Sequence, residues 1–473
     1  MAYVYGVLGV LVVLGIAVAA RRYASRAGAR ALLRHRARVD RFKLANRASV
    51  RAALLGDPTI IAAARDHARV TGVSEADAMR RVNGYISEIV PFFNVIAYFQ
   101  IGYRVSRALL NLFYKVTVEF EDRRAVQRLP RSAVLVYLMN HRSNADYVLV
   151  GYALAGQVAI SYAVGEWARA FPLEHAFKAF GAYFVRRRYR EPLYHTVLEH
   201  YVQLITRQGV TQGIFLEGGL TRDGKLRSPK IGLLDYVLGI ARDPEYRERM
   251  YVVPVAVNYD RVLEDRSLLI ELASREGTRR PSRLSQMMEV GRFLMWNLGR
   301  MVMRRWKRYG RAAVIVGKPV PLEPWFLVEH QLFSLPRSER LARVQALSDR
   351  IMDRIGALVP VTSVALACAA IQSLDADFLP RERLLRRMEE LRDALVELNA
   401  RVLRSDRDIA ETFDRAWRML RMRRILVEVG SGFAVLPGNR QLVSYYANSI
   451  AHLLGPFEAA VRRRDALPSE LIG

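Results

Sequence analysis

One short segment, Asn140-His141-Arg142-Ser143-Asn144-Ala145-Asp146, sets an imidazole five residues ahead of a carboxylate. A neutral imidazole steered by a carboxylate is a general base, able to take a proton from a hydroxyl as it attacks. On a regular helix a spacing of five leaves two side chains about 140° apart around the axis. His141 and Asp146 therefore meet only if His141 lies in a turn ahead of the helix. Ser143 is of a residue type that caps helices, and Asp146 three positions later has the spacing of a capping box. Two readings stay open: a base with its orienting acid, or a capping box beside a loop histidine.

Three further segments carry chemistry downstream. Gly181-Ala182-Tyr183-Phe184-Val185 reads as a strand that ends in Arg186, Arg187 and Arg188, and guanidinium forks match phosphate oxygens two at a time. Ile214–Leu216 runs into Glu217, Gly218 and Gly219, whose glycines let the backbone approach a ligand, and Arg222 and Lys225 add positive charge. Val253-Pro254-Val255 sits inside a strand-like run, where proline removes a ladder donor and predicts a bulge or an edge. The histidines at 67, 175, 195, 200, 330 and 452 have no metal-ligand spacing and read as structural. The single cysteine, Cys368, excludes an internal disulfide and a cysteine-based metal centre, and its apolar neighbours read it as buried.

The elements that must hold these residues follow from periodicity. Short β-branched runs at 116–120, 133–138, 157–164, 182–185, 213–216, 251–258 and 312–316 alternate with helical stretches. That alternation predicts an α/β domain over residues 116–340, with a central mixed sheet flanked by helices. Residues 22–115 read as a helical, membrane-associated region, with Ser74 and Asp77 as a capping box, and residues 341–473 as a helical C-terminal domain. Residues 2–20 carry no charge and span about 28 Å as a helix, near the hydrocarbon thickness. Arg21, Arg22, Arg26, Arg30 and Arg34 follow, so residues 1–21 are expected to anchor the chain with its bulk in the cytoplasm. Residues 90–116 mix aromatics with Arg104, Arg107 and Lys115, the pattern of an interfacial helix or of an amphipathic helix packed on a core.

With 473 residues, 51% hydrophobic, the chain has material for a packed core, and its mean hydropathy of +0.03 excludes a polytopic transporter. A net charge of +27 implies an anionic partner: anionic lipid, a phosphate-bearing substrate or nucleic acid. No helix-turn-helix or RNA-binding motif supports nucleic acid. A non-enzymatic basic protein of the membrane surface is the reading from a different class.

The order of these segments resembles the glycerol-3-phosphate acyltransferase family within the glycerolipid acyltransferases. His141 and Asp146 match its H-x4-D block. Gly181, Phe184, Arg186 and Arg187 match its second block, Glu217, Gly218, Arg222 and Lys225 its third, and Val253 to Val255 its proline block. Gly317-Lys318-Pro319 resembles a further element, and residues 440–454 resemble the tail of the larger members. Leu220 departs from the pattern, standing where the family often has arginine. The resemblance implies transfer of an acyl group from acyl-CoA or acyl-carrier protein to the sn-1 hydroxyl of glycerol 3-phosphate, without a cofactor or a metal. Lysophosphatidate and dihydroxyacetone phosphate are the alternative acceptors. It implies His141 as base, Asp146 as its orienting acid, and Arg187, Arg222 and Lys225 on the substrate phosphate. Arg186, Glu217, Gly218 and Gly219 would support the site, and Val253, Pro254 and Val255 would line an acyl groove. The expected setting is a bacterial inner membrane with anionic lipids as partners and the catalytic domain facing the cytoplasm.

Overall fold

A computed structural model describes residues 47–91, 102–155, 157–165, 177–178, 181–186, 189–275, 308–403 and 408–465. The expected anchor at 1–21, residues 92–101 of the aromatic segment, His175, Arg187 and Arg188 lie outside the described residues. Among the described residues no helix is long and apolar enough to cross a membrane.

Seven strands follow the predicted runs: β1 Lys115–Phe120, β2 Val134–Met139, β3 Ser161–Gly165, β4 Tyr183–Val185, β5 Gln212–Phe215, β6 Met250–Tyr259 and β7 Arg311–Val316. They form one mixed sheet in the order β1-β7-β6-β2-β5-β3-β4. Strands β6, β2, β5, β3 and β4 are mutually parallel, and β7, antiparallel to β6, carries β1 parallel to itself. A two-residue β8, Val320–Pro321, pairs antiparallel with β6.

Alternation sorts the strand residues between two cores. Leu135, Tyr137 and Met139 of β2 join Val253, Val255 and Val257 of β6 on one face. Val134, Val136 and Leu138 join Val252 and Ala256 on the other. A strand buried on both faces reads as a continuous apolar run, as β2 does. Each buried valine or leucine side chain contributes about 1.5–3 kcal/mol relative to exposure, so register is firmly set where a one-residue slip would exchange the two cores.

The second face is covered by helices Arg47–Leu55, Pro58–Thr71, Glu75–Ile89, Pro192–Arg207 and Arg337–Ala357. Their limits follow local chemistry. Asp57 caps the second helix ahead of Pro58, and Gly72 ends it at φ 72°. Ser74 and Asp77 form the expected capping box, with Asp77 N donating to Ser74 Oγ at 3.1 Å. The first face is covered by Asp146–Leu154, Ser363–Leu374 and Arg440–Asp465. Helix Ser363–Leu374, buried along residues 363–371 and including Cys368, lies inside this layer. Helix Tyr103–Phe113 lies against Asp146–Leu154, with Tyr103 stacked on Tyr152, while Arg104 and Arg107 are exposed.

Four expectations are corrected. The boundary at 340 falls inside helix Arg337–Ala357, whose Val344, Leu347 and Ile351 pack on the second face of the sheet. The C-terminal region is not wholly helical: β9 Phe378–Pro380, β10 Leu426–Val429 and β11 Gly432–Val435 form a small antiparallel sheet. Pro254 marks neither an edge nor a bulge. It lies within an interior strand, paired with Leu138, at the point where β7 ends and before β8 begins. Its carbonyl accepts from Gly317 N at 2.8 Å, and the amide hydrogen it lacks would point to that same gap. Val253 and Val255 are wholly buried core residues rather than the lining of an open groove. Gly317 is held to its size by this packing, since a Cβ there would lie 2.7 Å from the Pro254 ring.

Candidate active site

The chain leaves β2 at Met139, and Asn140 continues the sheet with its side chain. Asn140 Nδ2 donates to Val257 O at 3.0 Å and Oδ1 accepts from Val257 N at 2.8 Å, as a backbone residue would. The next turn therefore starts from a fixed place. His141 to Ser143 are not helical and the helix begins at Asp146, which is the turn that a spacing of five requires.

His141 Nδ1 lies 2.9 Å from Asp146 Oδ2, with both side chains buried. The same oxygen accepts Arg142 N at 2.7 Å and Ser143 N at 3.0 Å, and Oδ1 accepts the Tyr259 hydroxyl at 2.5 Å. Four donors thus converge on one carboxylate, which keeps it oriented toward the imidazole. The His141 ring stacks on Phe215 at 4.0 Å between centroids and meets Tyr147 edge-on. Both readings of the spacing are realised in part. Asp146 accepts the Ser143 amide, as a capping box demands, but Ser143 is not the N-cap. Its hydroxyl donates to Glu264 Oε2 at 2.7 Å and accepts Ala145 N at 3.1 Å. Glu264 also accepts Asn144 N at 3.2 Å; burial, with Asp146 nearby, raises its carboxyl above the usual range.

The third block closes the turn from beneath. Glu217, at the end of β5, accepts His141 N on Oε1 at 2.9 Å, and Thr221 N donates to His141 O at 3.3 Å. Gly218 adopts φ 64°, and a Cβ there would meet Lys230 Cγ at 2.9 Å. Burial pushes the Glu217 carboxyl up to about 7, against the downward pull of the His141 amide and of Arg142 and Arg227. An acid raised in the folded state contributes stability that is complete below its unfolded value of 4.5 and lost as pH rises through 7. Glu217→Gln keeps an oxygen for the His141 amide and removes the titration. Its stability relative to wild type is expected to improve between about pH 5 and pH 8 by up to roughly 3 kcal/mol. Urea unfolding of both proteins across that range checks this; parallel profiles would mean that Glu217 is ionised without penalty.

Of the expected phosphate ligands, Arg187 lies outside the described residues. Arg222 is ion-paired to Glu271, with Nη2 to Oε1 at 2.7 Å, and Lys225 is exposed. Arg186 is held elsewhere: Nε and Nη2 grip both Glu88 oxygens at 2.9 and 2.6 Å, among the rings of Tyr85, Tyr189 and Tyr194. It ties the N-terminal helices to β4. Gly219 is half-buried beside the turn. Lys318 N donates to Glu121 Oε2 at 3.0 Å, and Arg354 and Arg401 pair with the same carboxylate, so the Gly317-Lys318-Pro319 element is a joint. Among the described residues no group of three or more His, Cys, Asp or Glu is placed to hold a metal ion. His195, His200 and His452 are engaged by Tyr236, Asp57 and the Gly356 carbonyl.

The C-terminal helix, whose residues 440–454 the resemblance had covered without a role, supplies a wall. Gly224 adopts φ 85° directly against the Tyr445 carbonyl, where a Cβ would stand 1.9 Å from the oxygen. Asn448 Nδ2 donates to Asp223 O at 2.8 Å. The buried Arg142 donates through Nη1 to Gly224 O and lies over the Tyr445 ring at 5.5 Å. Tyr259, Glu264 and Asn140 were also missed by motif reasoning. Their signal was the polar residues at the ends of apolar strands, Asn140 after β2 and Asn258-Tyr259-Asp260 closing β6.

Comparison with known proteins gives two family matches. Residues 117–258 match the family described as Acyltransferase, and residues 295–457 match the one described as Glycerol-3-phosphate acyltransferase C-terminal region. The glycerol-3-phosphate acyltransferase of Aeromonas hydrophila is 28% identical over 423 residues, covering 87% of this chain and 50% of that protein. That of Actinobacillus succinogenes is 27% identical over 428 residues, again covering 87% and 50%. The chain thus spans about half the length of the curated relatives it matches. Among solved structures, the 1-acyl-sn-glycerophosphate acyltransferase PlsC of Thermotoga maritima is 17% identical, at a TM-score of 0.31 over 54% of this chain and 78% of that one.

Proposed function

The chain belongs to the glycerol-3-phosphate acyltransferase family of the glycerolipid acyltransferases, and on that premise we propose that it moves a fatty acyl group from a thioester to the sn-1 hydroxyl of glycerol 3-phosphate. The observation that carries the reading is the buried His141–Asp146 pair, 2.9 Å apart at the head of a helix, with Glu217 holding the His141 amide. With Nδ1 engaged by Asp146, proton transfer falls to Nε2. The hydroxyl proton passes to Nε2 as its oxygen bonds to the thioester carbonyl carbon, and Asp146 stabilises the imidazolium that forms. Collapse of the tetrahedral intermediate breaks the carbon–sulfur bond, and the imidazolium returns its proton to the departing thiolate. The ester product is lysophosphatidate. The amides of His141, Arg142 and Ser143 are already engaged by Glu217 and Asp146, so the oxyanion takes its donors from other groups of the site.

The proposal includes a setting. The uncharged run 2–20, followed by arginines, anchors the chain in a bacterial inner membrane with the catalytic domain facing the cytoplasm, and the +27 charge favours anionic lipid. The acyl donor is acyl-CoA or acyl-carrier protein, used as a co-substrate without a further cofactor. The test is acyl transfer by membranes carrying the full chain. Glycerol 3-phosphate, lysophosphatidate and dihydroxyacetone phosphate are offered separately with each donor. Label appearing in lysophosphatidate from glycerol 3-phosphate, and retained in salt-washed membranes, supports the reading. Preferred acylation of lysophosphatidate or dihydroxyacetone phosphate replaces the acceptor, and no transfer to any of the three overturns the function.

A further inference from the structure

Arg142 is the least satisfied charged group beside the dyad. It follows the base directly in sequence and is 3% exposed. Nη1 donates to Gly224 O, but Nε and Nη2 have no partner among the described residues. A guanidinium removed from water costs several kcal/mol unless a counter-charge and hydrogen bonds answer it. One carbonyl, one ring face and the nearby Glu217 carboxyl leave its Nε and Nη2 edge without a hydrogen-bond acceptor among the described residues. One neighbour shares the deficit: the buried Tyr445 hydroxyl also has no partner among the described residues. Arg142 lies over the Tyr445 ring at 5.5 Å and Glu217 bonds the amide of His141, the residue before Arg142, which puts the three groups in one locality between the 217–225 loop and the C-terminal helix. A guanidinium edge and a phenol are the donor set for a multiply charged oxyanion.

We propose that Arg142 holds the phosphate of the acceptor, presenting its Nε and Nη2 edge to two phosphate oxygens while Gly224 O fixes Nη1. This rests on the acyltransferase reading above and deepens it. It also answers the departure at Leu220. The side chain there brings no charge, Arg222 is committed to Glu271, and the residue next to the base brings the cation instead. Gly224 takes part through its carbonyl, and its lack of a Cβ lets the C-terminal helix close on Arg142. Both substrates carry phosphate when the donor is acyl-CoA, so the test separates acceptor from donor.

The experiment uses the full chain and its Arg142→Lys and Arg142→Met variants. Lysine keeps the charge and much of the stem but cannot bond Gly224 O and two phosphate oxygens at once. The KM for glycerol 3-phosphate is expected to rise about 10-fold in Arg142→Lys and about 100-fold in Arg142→Met, with donor KM and saturated kcat changed far less. Inorganic phosphate, set against chloride of equal ionic strength, should raise the Tm of the wild type and not of either variant. Three results overturn the proposal: a rise in donor KM alone, a fall in kcat with both KM values kept, or equal phosphate stabilisation of all three proteins. The last would mean that water alone answers the guanidinium. Phosphate stabilisation needs no turnover. If the wild type acylates no phosphate-bearing acceptor, the functional reading fails while the Tm comparison still decides the role of Arg142. Should both variants fail to fold, a wild-type Tm that phosphate does not raise above chloride decides against it.

Discussion

Replacing His141 with alanine is expected to lower kcat by at least the roughly 10²–10⁴-fold that a positioned general base contributes, in a protein that still folds. The imidazole bonds Asp146, lies on Phe215 and meets Tyr147 edge-on. Alanine therefore removes the base and leaves the turn, whose amides stay on Asp146 and Glu217. Asp146→Asn should lose much of the same activity and also some stability. An amide can accept on only one atom, where the carboxylate accepts two backbone N–H groups, the ring nitrogen and the Tyr259 hydroxyl. Tyr259→Phe removes the last of these alone, and a roughly 3- to 10-fold loss of kcat is expected from one net hydrogen bond to the orienting acid. The double variant of His141 and Asp146 should be little slower than His141→Ala, because the acid acts through the base. Steady-state kcat at saturating donor and acceptor, with a melting curve for each protein, checks the series. A well-folded His141→Ala enzyme of near-normal turnover would remove the mechanism.

The parts of this molecule that were legible in the sequence are those where one local pattern suffices. Each of the seven strands stood out as a β-branched run, and in β2, β5, β6 and β7 burial on both faces leaves few polar interruptions. The His141 turn was legible as a condition: five residues can join only outside a helix, and the structure meets that condition. What stayed hidden depends on pairings far apart in the chain. Arg186 belongs to a basic triplet, yet Glu88, 98 residues earlier, claims it. Pro254 breaks a strand on paper, but the end of β7 leaves its missing donor nothing to meet. The small sheet of β9, β10 and β11 comes from pairing segments about fifty residues apart, with strands of only three or four residues. Tyr445 lies in the tail segment that the resemblance covers, but nothing local in it points to the site. Its role follows from a glycine at 224 that gives the C-terminal helix room to approach.

That approach has its own anchor, and breaking it is expected to cost about 3–5 kcal/mol of stability. Asp265 opens the helix Asp265–Arg275 and is buried, where its carboxylate accepts Arg423 Nη2 at 2.8 Å together with Arg423 Nη1 and the Tyr446 hydroxyl. Tyr446 Oη also accepts Arg423 Nη1 at 2.9 Å and Val262 N at 3.2 Å. Burial alone would raise the Asp265 carboxyl, but the Arg423 guanidinium and the Tyr446 hydroxyl hold it below the usual range. The ion pair therefore joins three pieces of chain: the helix after β6, the end of helix Ile409–Met422 and the C-terminal helix that carries Tyr445. Arg423→Met leaves a buried carboxylate unanswered, and most of the expected cost is the desolvation of that one charge. The double variant Arg423→Met with Asp265→Leu removes both charges, and an apolar pair of similar bulk should recover most of the loss. Tyr445 and Asn448 hold the 222–225 loop from the same helix. The single variant should therefore also become protease-sensitive ahead of residue 440 and weaken acceptor binding at concentrations where the core still folds. Urea unfolding of the wild type and the two variants, with limited proteolysis of each, makes the measurement. An Arg423→Met protein within about 1 kcal/mol of wild type would mean that water reaches Asp265, and that apolar packing around Ser363–Leu374 is what holds the C-terminal helix in place.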